Sequence, residues 1–231
     1  MVRVEEWAVR RTSGCVIKLR LPKKDGNATS ILCLGAHSDD IEIGCGGTLL
    51  FVKNTLSPVK FYWVVFSASG LRGQEAAKSA ELFTAGCERE IILKEHRDGF
   101  LPYYGCAVKE FFEEMKNRVN PDVIFTHWRG DAHQDHRLVS ELTRNTFRDH
   151  MILEYEIPKY DGDLGRPSVF VPLAAELCQR KVRSIMDVFQ SQHSKHWFQQ
   201  DTFLSLMRLR GMECNASGGY AEAFHCCKMM L

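Results

Sequence analysis

Long apolar runs are missing from the 231 residues. No stretch approaches the roughly 20 consecutive apolar residues that span a bilayer. The opening Met1-Val2-Arg3-Val4-Glu5-Glu6-Trp7 lacks the apolar core of a signal peptide. A cytoplasmic protein without a transmembrane segment is therefore expected. Excess charge of either sign is missing too: 30 Lys and Arg stand against 29 Asp and Glu, a formal net charge of +1. No global field draws such a chain to nucleic acid or to an anionic membrane. CxxC pairs are absent although there are nine cysteines. An odd number of thiols scattered among apolar neighbours reads as reduced and mostly buried, not as a zinc ribbon or a thioredoxin-like motif. Linkers, repeats and low-complexity tracts are also lacking, so residues 1–231 read as one domain.

What is present is alternation. An apolar run, Ile31 to Ala36, empties into His37, Asp39 and Asp40; a Gly-rich turn, Gly44-Cys45-Gly46-Gly47, and a helix from Thr48 to Asn54 follow. Lys60 to Ser67 is a second strand, Gln74 to Ala85 a helix, and Glu90 to Leu93 a third strand. Val108, Phe111, Phe112, Met115 and Val119 share one helix face, which Pro121 ends. Asp122 to His127 is a fourth strand, and a helix runs from Arg137 to about Arg148. Strand–helix alternation predicts a parallel sheet with right-handed crossovers. The expected fold is an α/β three-layer sandwich with a mainly parallel, Rossmann-like sheet. Residues 1–29 read as an edge strand or hairpin, and residues 150–231 as the region that rims the substrate. That region should hold strands at 152–157, 168–171 and 220–227 and helices at 173–190 and 199–211.

Two polar clusters end two of these strands, on the same edge of the sheet. The first offers His37, Asp39 and Asp40; the second offers His133, Asp135 and His136. Ionisable groups just past an apolar strand need metal, partners or water. A catalytic zinc takes three N or O ligands and keeps one position open. Two ligands from the first loop and one histidine from the second meet that count, leaving a carboxylate free to act as general base. Dinucleotide binding fits poorly, because His37 to Asp40 put negative charge where a pyrophosphate would need room.

Together the motifs resemble the zinc-dependent de-N-acetylases of the LmbE-like type, which include the N-acetylglucosaminyl-phosphatidylinositol deacetylases. Ala36-His37-Ser38-Asp39-Asp40 and Gly44-Cys45-Gly46-Gly47-Thr48-Leu49 match the first motif, and His133-Gln134-Asp135-His136 the second. Asn120-Pro121-Asp122-Val123 and Arg72-Gly73-Gln74-Glu75 are similar to further family stretches. The resemblance implies His37, Asp40 and His136 as ligands of zinc, or alternatively iron(II), with Asp39 as general base. It implies that His133 stabilises the oxyanion, that Asp135 orients the His133 ring, and that Arg72 reaches a polar group of the substrate. Ser38 stands where the family usually has proline, and Ile41 where many members have glutamate. The implied reaction removes acetyl from an N-acetylated amino sugar in a small conjugate or glycoconjugate. The alternatives are an amidase or esterase acting on a non-acetyl substrate, and a catalytically silent binding protein on the same scaffold. Bland readings stand beside these: Arg72 and Glu75 as a surface ion pair, Glu222 as a plain strand residue, and the remaining histidines as surface or core, with His127 the exception to watch.

Overall fold

The computed structural model describes residues 27–56 and 58–229. The expected hairpin at 1–29 lies almost entirely outside the described residues. Seven strands form one sheet: β1 (Thr29–His37), β2 (Val59–Ser67), β3 (Glu88–Leu93), β4 (Val123–His127), β5 (Met151–Tyr155), β6 (Val169–Leu173) and β7 (Tyr220–Cys226). Their order is β3-β2-β1-β4-β5-β7-β6. The first five are parallel to one another, and β7 pairs antiparallel with both β5 and β6. The sheet is thus mainly parallel with a mixed edge, as the alternation predicted. Pro172 sits in β6, at the sheet edge, where a missing amide donor is tolerated.

Among the described residues six α-helices cover the two faces: α1 (Asp40–Thr55), α2 (Gly70–Phe83), α3 (Gly105–Arg118), α4 (Gln134–Thr146), α5 (Ala175–Val188) and α6 (Gln200–Glu213). Successive residues of a strand point to opposite faces, and β1, buried on both, feeds two cores. Ile31 and Cys33 pack with Phe61, Trp63 and Val65 among residues of α1, α2, α5 and α6. Leu32 and Leu34 pack with Val64, Phe66, Val108, Phe112 and Val139 on the face of α3 and α4. Near-continuous apolar strands are what such two-sided burial requires.

Three helix starts differ from the sequence expectation, and each difference moves chemistry onto a helix. α1 begins at Asp40, so the Gly-rich stretch is its interior and not a turn. The glycines are there for clearance: a Cβ on Gly44 would lie 2.1 Å from the Tyr155 ring, and one on Gly46 2.7 Å from that of Phe83. α2 begins at Gly70, placing Arg72 in its first turn. α4 begins at Gln134, because the His133 side chain caps it by accepting from the amide of Asp135.

The chain switches direction across the sheet at β1. β2 and β3 lie on one side of it, β4 and β5 on the other. In such sheets the crevice beyond the carboxyl ends of the strands at the switch point is the natural ligand site. His37 ends β1 and His127 ends β4, so the polar clusters stand in that crevice.

Candidate metal centre

Strand β1 delivers His37, and the first turn of α1 returns Asp40 beneath it. The His37 amide donates to Asp40 Oδ2 at 2.6 Å, which locks the turn. From the other side of the switch point, α4 brings His136. Its Nε2 lies 3.1 Å from His37 Nδ1 and 3.6 Å from Asp40 Oδ1, while His37 Nδ1 and Asp40 Oδ2 are 3.4 Å apart. All three side chains are buried.

These separations fit a shared cation. Two ligand atoms at about 2.0–2.1 Å from one tetrahedral ion lie about 3.3 Å apart, close to the spacings observed. The donor set also has the right chemistry, two imidazole nitrogens and a carboxylate oxygen. His136 Nδ1 faces Asp131 Oδ2 at 2.9 Å, so its proton is donated there and the Nε2 lone pair is left for a metal. Three further groupings among the described residues also bring ligand atoms together: His37, His133 and His136; Asp40, His127 and His136; and His37, Asp98 and Asp135.

Unpartnered buried atoms point the same way. Asp39 is 3 % exposed, and its Oδ1 accepts from Arg72 at 2.8 Å while its Oδ2 has no partner. The His127 ring is fully buried and stacks on His136 with centroids 3.9 Å apart. Its Nε2 accepts from the Ala36 amide at 3.0 Å yet also faces Asp40 Oδ2 at 3.2 Å, and its Nδ1 has no partner. One ring nitrogen is thus shared between a donor and a carboxylate while the other is unpartnered.

The charges are strongly perturbed. Burial opposes protonation of His37, but Asp40, Asp135 and Asp98 together hold it well above the ordinary histidine value. Burial, helped by neighbouring His127, pushes His136 down to about 4, keeping it neutral. Burial would raise Asp40, yet His136, His127 and His37 pull it well below the usual carboxylate range. Burial raises Asp39, against the pull of Arg72. Burial and the nearby His37 lower His133.

Two expected contacts are arranged differently. Asp135 meets His133 through its backbone amide, at 3.2 Å from Nδ1. Its carboxylate instead accepts from the amides of Gly99 and Leu101 and lies 3.2 Å from His37 Nε2. Arg72 does not pair with Glu75, whose carboxylate accepts from the amide and hydroxyl of Ser191. Its guanidinium bridges Asp39 and Asp98 at 2.8 and 2.9 Å. Asp98 and Asp131 were not singled out by the sequence pattern. Asp98, whose side chain is half exposed, reaches His37 Nε2 at 3.0 Å from the loop after β3. A lone Asp-Gly in a loop carries no signal of such a contact. Asp131 lay inside the polar cluster after β4, and only its distance from His136 distinguishes it.

Comparison with known proteins bears on what this centre does. The profile of the PIG-L family, GlcNAc-PI de-N-acetylase, matches residues 32–147, the span from β1 to α4 that carries all these groups. The chain belongs to the PIG-L family. Escherichia coli K12 YaiS, described as an uncharacterized deacetylase, is 29% identical over 137 residues, covering 55% of this chain and 74% of YaiS. Among solved structures, the N,N'-diacetylchitobiose deacetylase of Pyrococcus horikoshii is 18% identical with a TM-score of 0.59, over 87% of this chain and 84% of its own. GalB, a 4-carboxy-2-hydroxymuconate hydratase of Pseudomonas putida KT2440, is 16% identical with a TM-score of 0.66, over 88% and 98%. At these identities the structural likeness is one of fold, and the fold serves both a deacetylase and a hydratase. The PIG-L match is what favours amide hydrolysis. No helix among the described residues is long and apolar enough to cross a membrane.

Proposed function

We propose that this PIG-L family protein is a divalent-metal-dependent hydrolase that removes the acetyl group from an N-acetylated amino sugar in a small conjugate or glycoconjugate. The observation that carries the reading is the convergence of His37 Nδ1, His136 Nε2 and the Asp40 carboxylate within 3.1–3.6 Å. Those three side chains would hold the ion, zinc or iron(II). When bound, such a cation polarises an amide carbonyl and lowers the pKa of water.

The rest of the work falls to the chain. Asp39 is buried, close to the ligand cluster, with Oδ2 unpartnered, which suits a base that takes a proton from the attacking water. Arg72 fixes the other oxygen, so only one edge of that carboxylate is free to act. His133 is less buried than His136, with its ring centroid 4.8 Å from that of His37. Its Nδ1 accepts from the Asp135 amide, so its proton sits on Nε2. From there it can donate a hydrogen bond to the developing oxyanion, while the proton that Asp39 takes from water passes to the departing amine. Asp135, clamped by two loop amides, holds His37 and the 99–101 segment together in place of orienting His133 directly. Arg72 holds Asp98 and Asp39 with its two terminal nitrogens and keeps Nε unpartnered, a donor still open to a polar group of the substrate.

The decisive test is turnover of a panel of N-acetylated hexosamine conjugates (nucleotide-, thiol- and lipid-linked) by zinc-loaded protein, read as free amine and acetate. Release of both in equal amounts supports the reading. Turnover confined to esters or to other acyl groups, or hydration of an unsaturated acid in its place, would overturn it.

A further inference from the structure

The segment between β5 and β6, residues 156–168, lies beyond the stretch that the family profile matches, yet Lys159 and Asp163 fasten it to the loop before α4. Lys159 is nearly buried, its side chain 9 % exposed. Its ammonium forms an ion pair with Asp131 Oδ2 at 3.0 Å and donates to Asp163 Oδ2 and, more weakly, to the Ile157 carbonyl at 3.5 Å. Asp131 is the carboxylate that receives the His136 Nδ1 proton on the same oxygen at 2.9 Å, while its Oδ1 accepts from the His133 amide at 2.7 Å. Asp163 in turn accepts from the Ala132 amide at 2.6 Å.

We propose that Lys159 is a positioning residue for the metal centre: it aims the His136 imidazole through Asp131 and staples the 157–163 segment onto the loop that carries His133. The geometry leaves Asp131 no freedom to rotate, because both its oxygens are claimed from three directions. Without the ammonium, Asp131 and Asp163 would face each other as two carboxylates from opposite loops. Their repulsion would part the loops and loosen the partner of His136. A buried cation shared by two acids differs from a solvent-exposed pair, which contributes little. Groups that orient a metal-bound histidine are worth about 10–100-fold in metal affinity or activity when removed. The role rests on the reading of His136 as a ligand.

The test uses metal alone, so it is independent of the substrate. Metal-free parent, Lys159→Met, Lys159→Gln and Lys159→Arg are titrated with Zn2+ against a chromophoric chelator and with Co2+, whose visible d–d bands report coordination geometry. Thermal melting of each metal-free protein reports folding. The expected result is Zn2+ binding about 10–100-fold weaker in Lys159→Met, with altered Co2+ bands, in protein that still melts cooperatively. Lys159→Arg should restore the parent's bands and most of its affinity. Should Lys159→Met not fold, Lys159→Gln carries the same expectation, since it keeps a donor and loses the charge. Parent-like affinity and bands in the uncharged variants would overturn the proposal, as would Lys159→Arg behaving no better than they do. A parent that takes up neither metal sinks the functional reading itself, a distinguishable failure.

Discussion

Helix α1 meets two buried polar clusters, and they are built on opposite terms. Midway along it, Glu222 of β7 accepts from the amides of Gly47 and Thr48 at 2.8 and 2.6 Å and from Lys181 of α5 at 2.6 Å. Lys181 also donates to the Ile43 carbonyl at 2.6 Å. Both carboxylate oxygens are used, and opposite charges are matched. At the start of the same helix, Asp39 Oδ2, His127 Nδ1 and Arg72 Nε have no partner. Equal burial therefore does not mean equal purpose. The satisfied cluster clamps α1 to β7 and α5. The unsatisfied one keeps polar atoms out of water with too few partners, an arrangement that makes sense when something else is to be bound there.

Four measurements would sharpen or break this contrast. The largest effect is expected at the unsatisfied end. Asp39→Ala should lower kcat by about 10²–10⁴-fold while metal content, read by atomic absorption, stays at the parent's value. His136→Ala should lose metal and turnover together. Undiminished hydrolysis by purified Asp39→Ala would remove it from the mechanism.

At the satisfied end the cost should fall on folding. Lys181→Met strands the Glu222 charge in the core, and about 3–5 kcal/mol of unfolding free energy should go with it. Urea titration measures this, and turnover per folded molecule should persist. A loss below about 1 kcal/mol would mean that the pair is not the clamp described.

Adding zinc should separate the clusters again. A ligand at about 100 times its Kd stabilises by about 2.7 kcal/mol. Parent and Lys181→Met should both rise in Tm on zinc addition, and His136→Ala should not. The smallest effect is the pH profile of the metal-free protein. His136 is depressed to about 4 from an ordinary 6.5, so the unfolded chain binds the extra proton between those values and stability falls as pH drops through them. His37 is raised, so its contribution is complete below 6.5 and is lost as pH rises through its folded value. Buried Glu42, raised to about 8, works against the His136 slope above 4.5, so melting temperature should change little up to about 6.5 and decline above it without metal. Zinc, by displacing the His37 proton, should reduce the alkaline decline.

Much of this was legible in the sequence because it is local. The apolar run 31–36 emptying into His37, Asp39 and Asp40 located β1 and its polar end. Four of the five parallel strands followed from alternation, and His133 to His136 announced the second polar cluster. What escaped was the long-range partnering. Asp98 is 61 residues from His37, and Glu222 looked ordinary because a strand glutamate gives no hint of the helix amides it meets. Composition alone reads the glycines at 44–47 as a turn, whereas space against Tyr155, Phe83 and Leu173 explains them. Helix starts at Asp40 and Gln134 were set by side chains that serve chemistry and backbone at once, so propensity placed both too late.

The clearance over Tyr155 has a further consequence. The phenol beneath Gly44 donates to the Leu34 carbonyl at 2.6 Å and lies 3.4 Å from His127 Nε2, so it cannot sink to make room. A methyl group on Gly44 would have to raise the front of α1 off the strands. Asp39 and Asp40 would ride upward with it, while His127, fixed on β4, stayed below. The altitude of the two acids above the imidazoles is thus set by an atom that is not there.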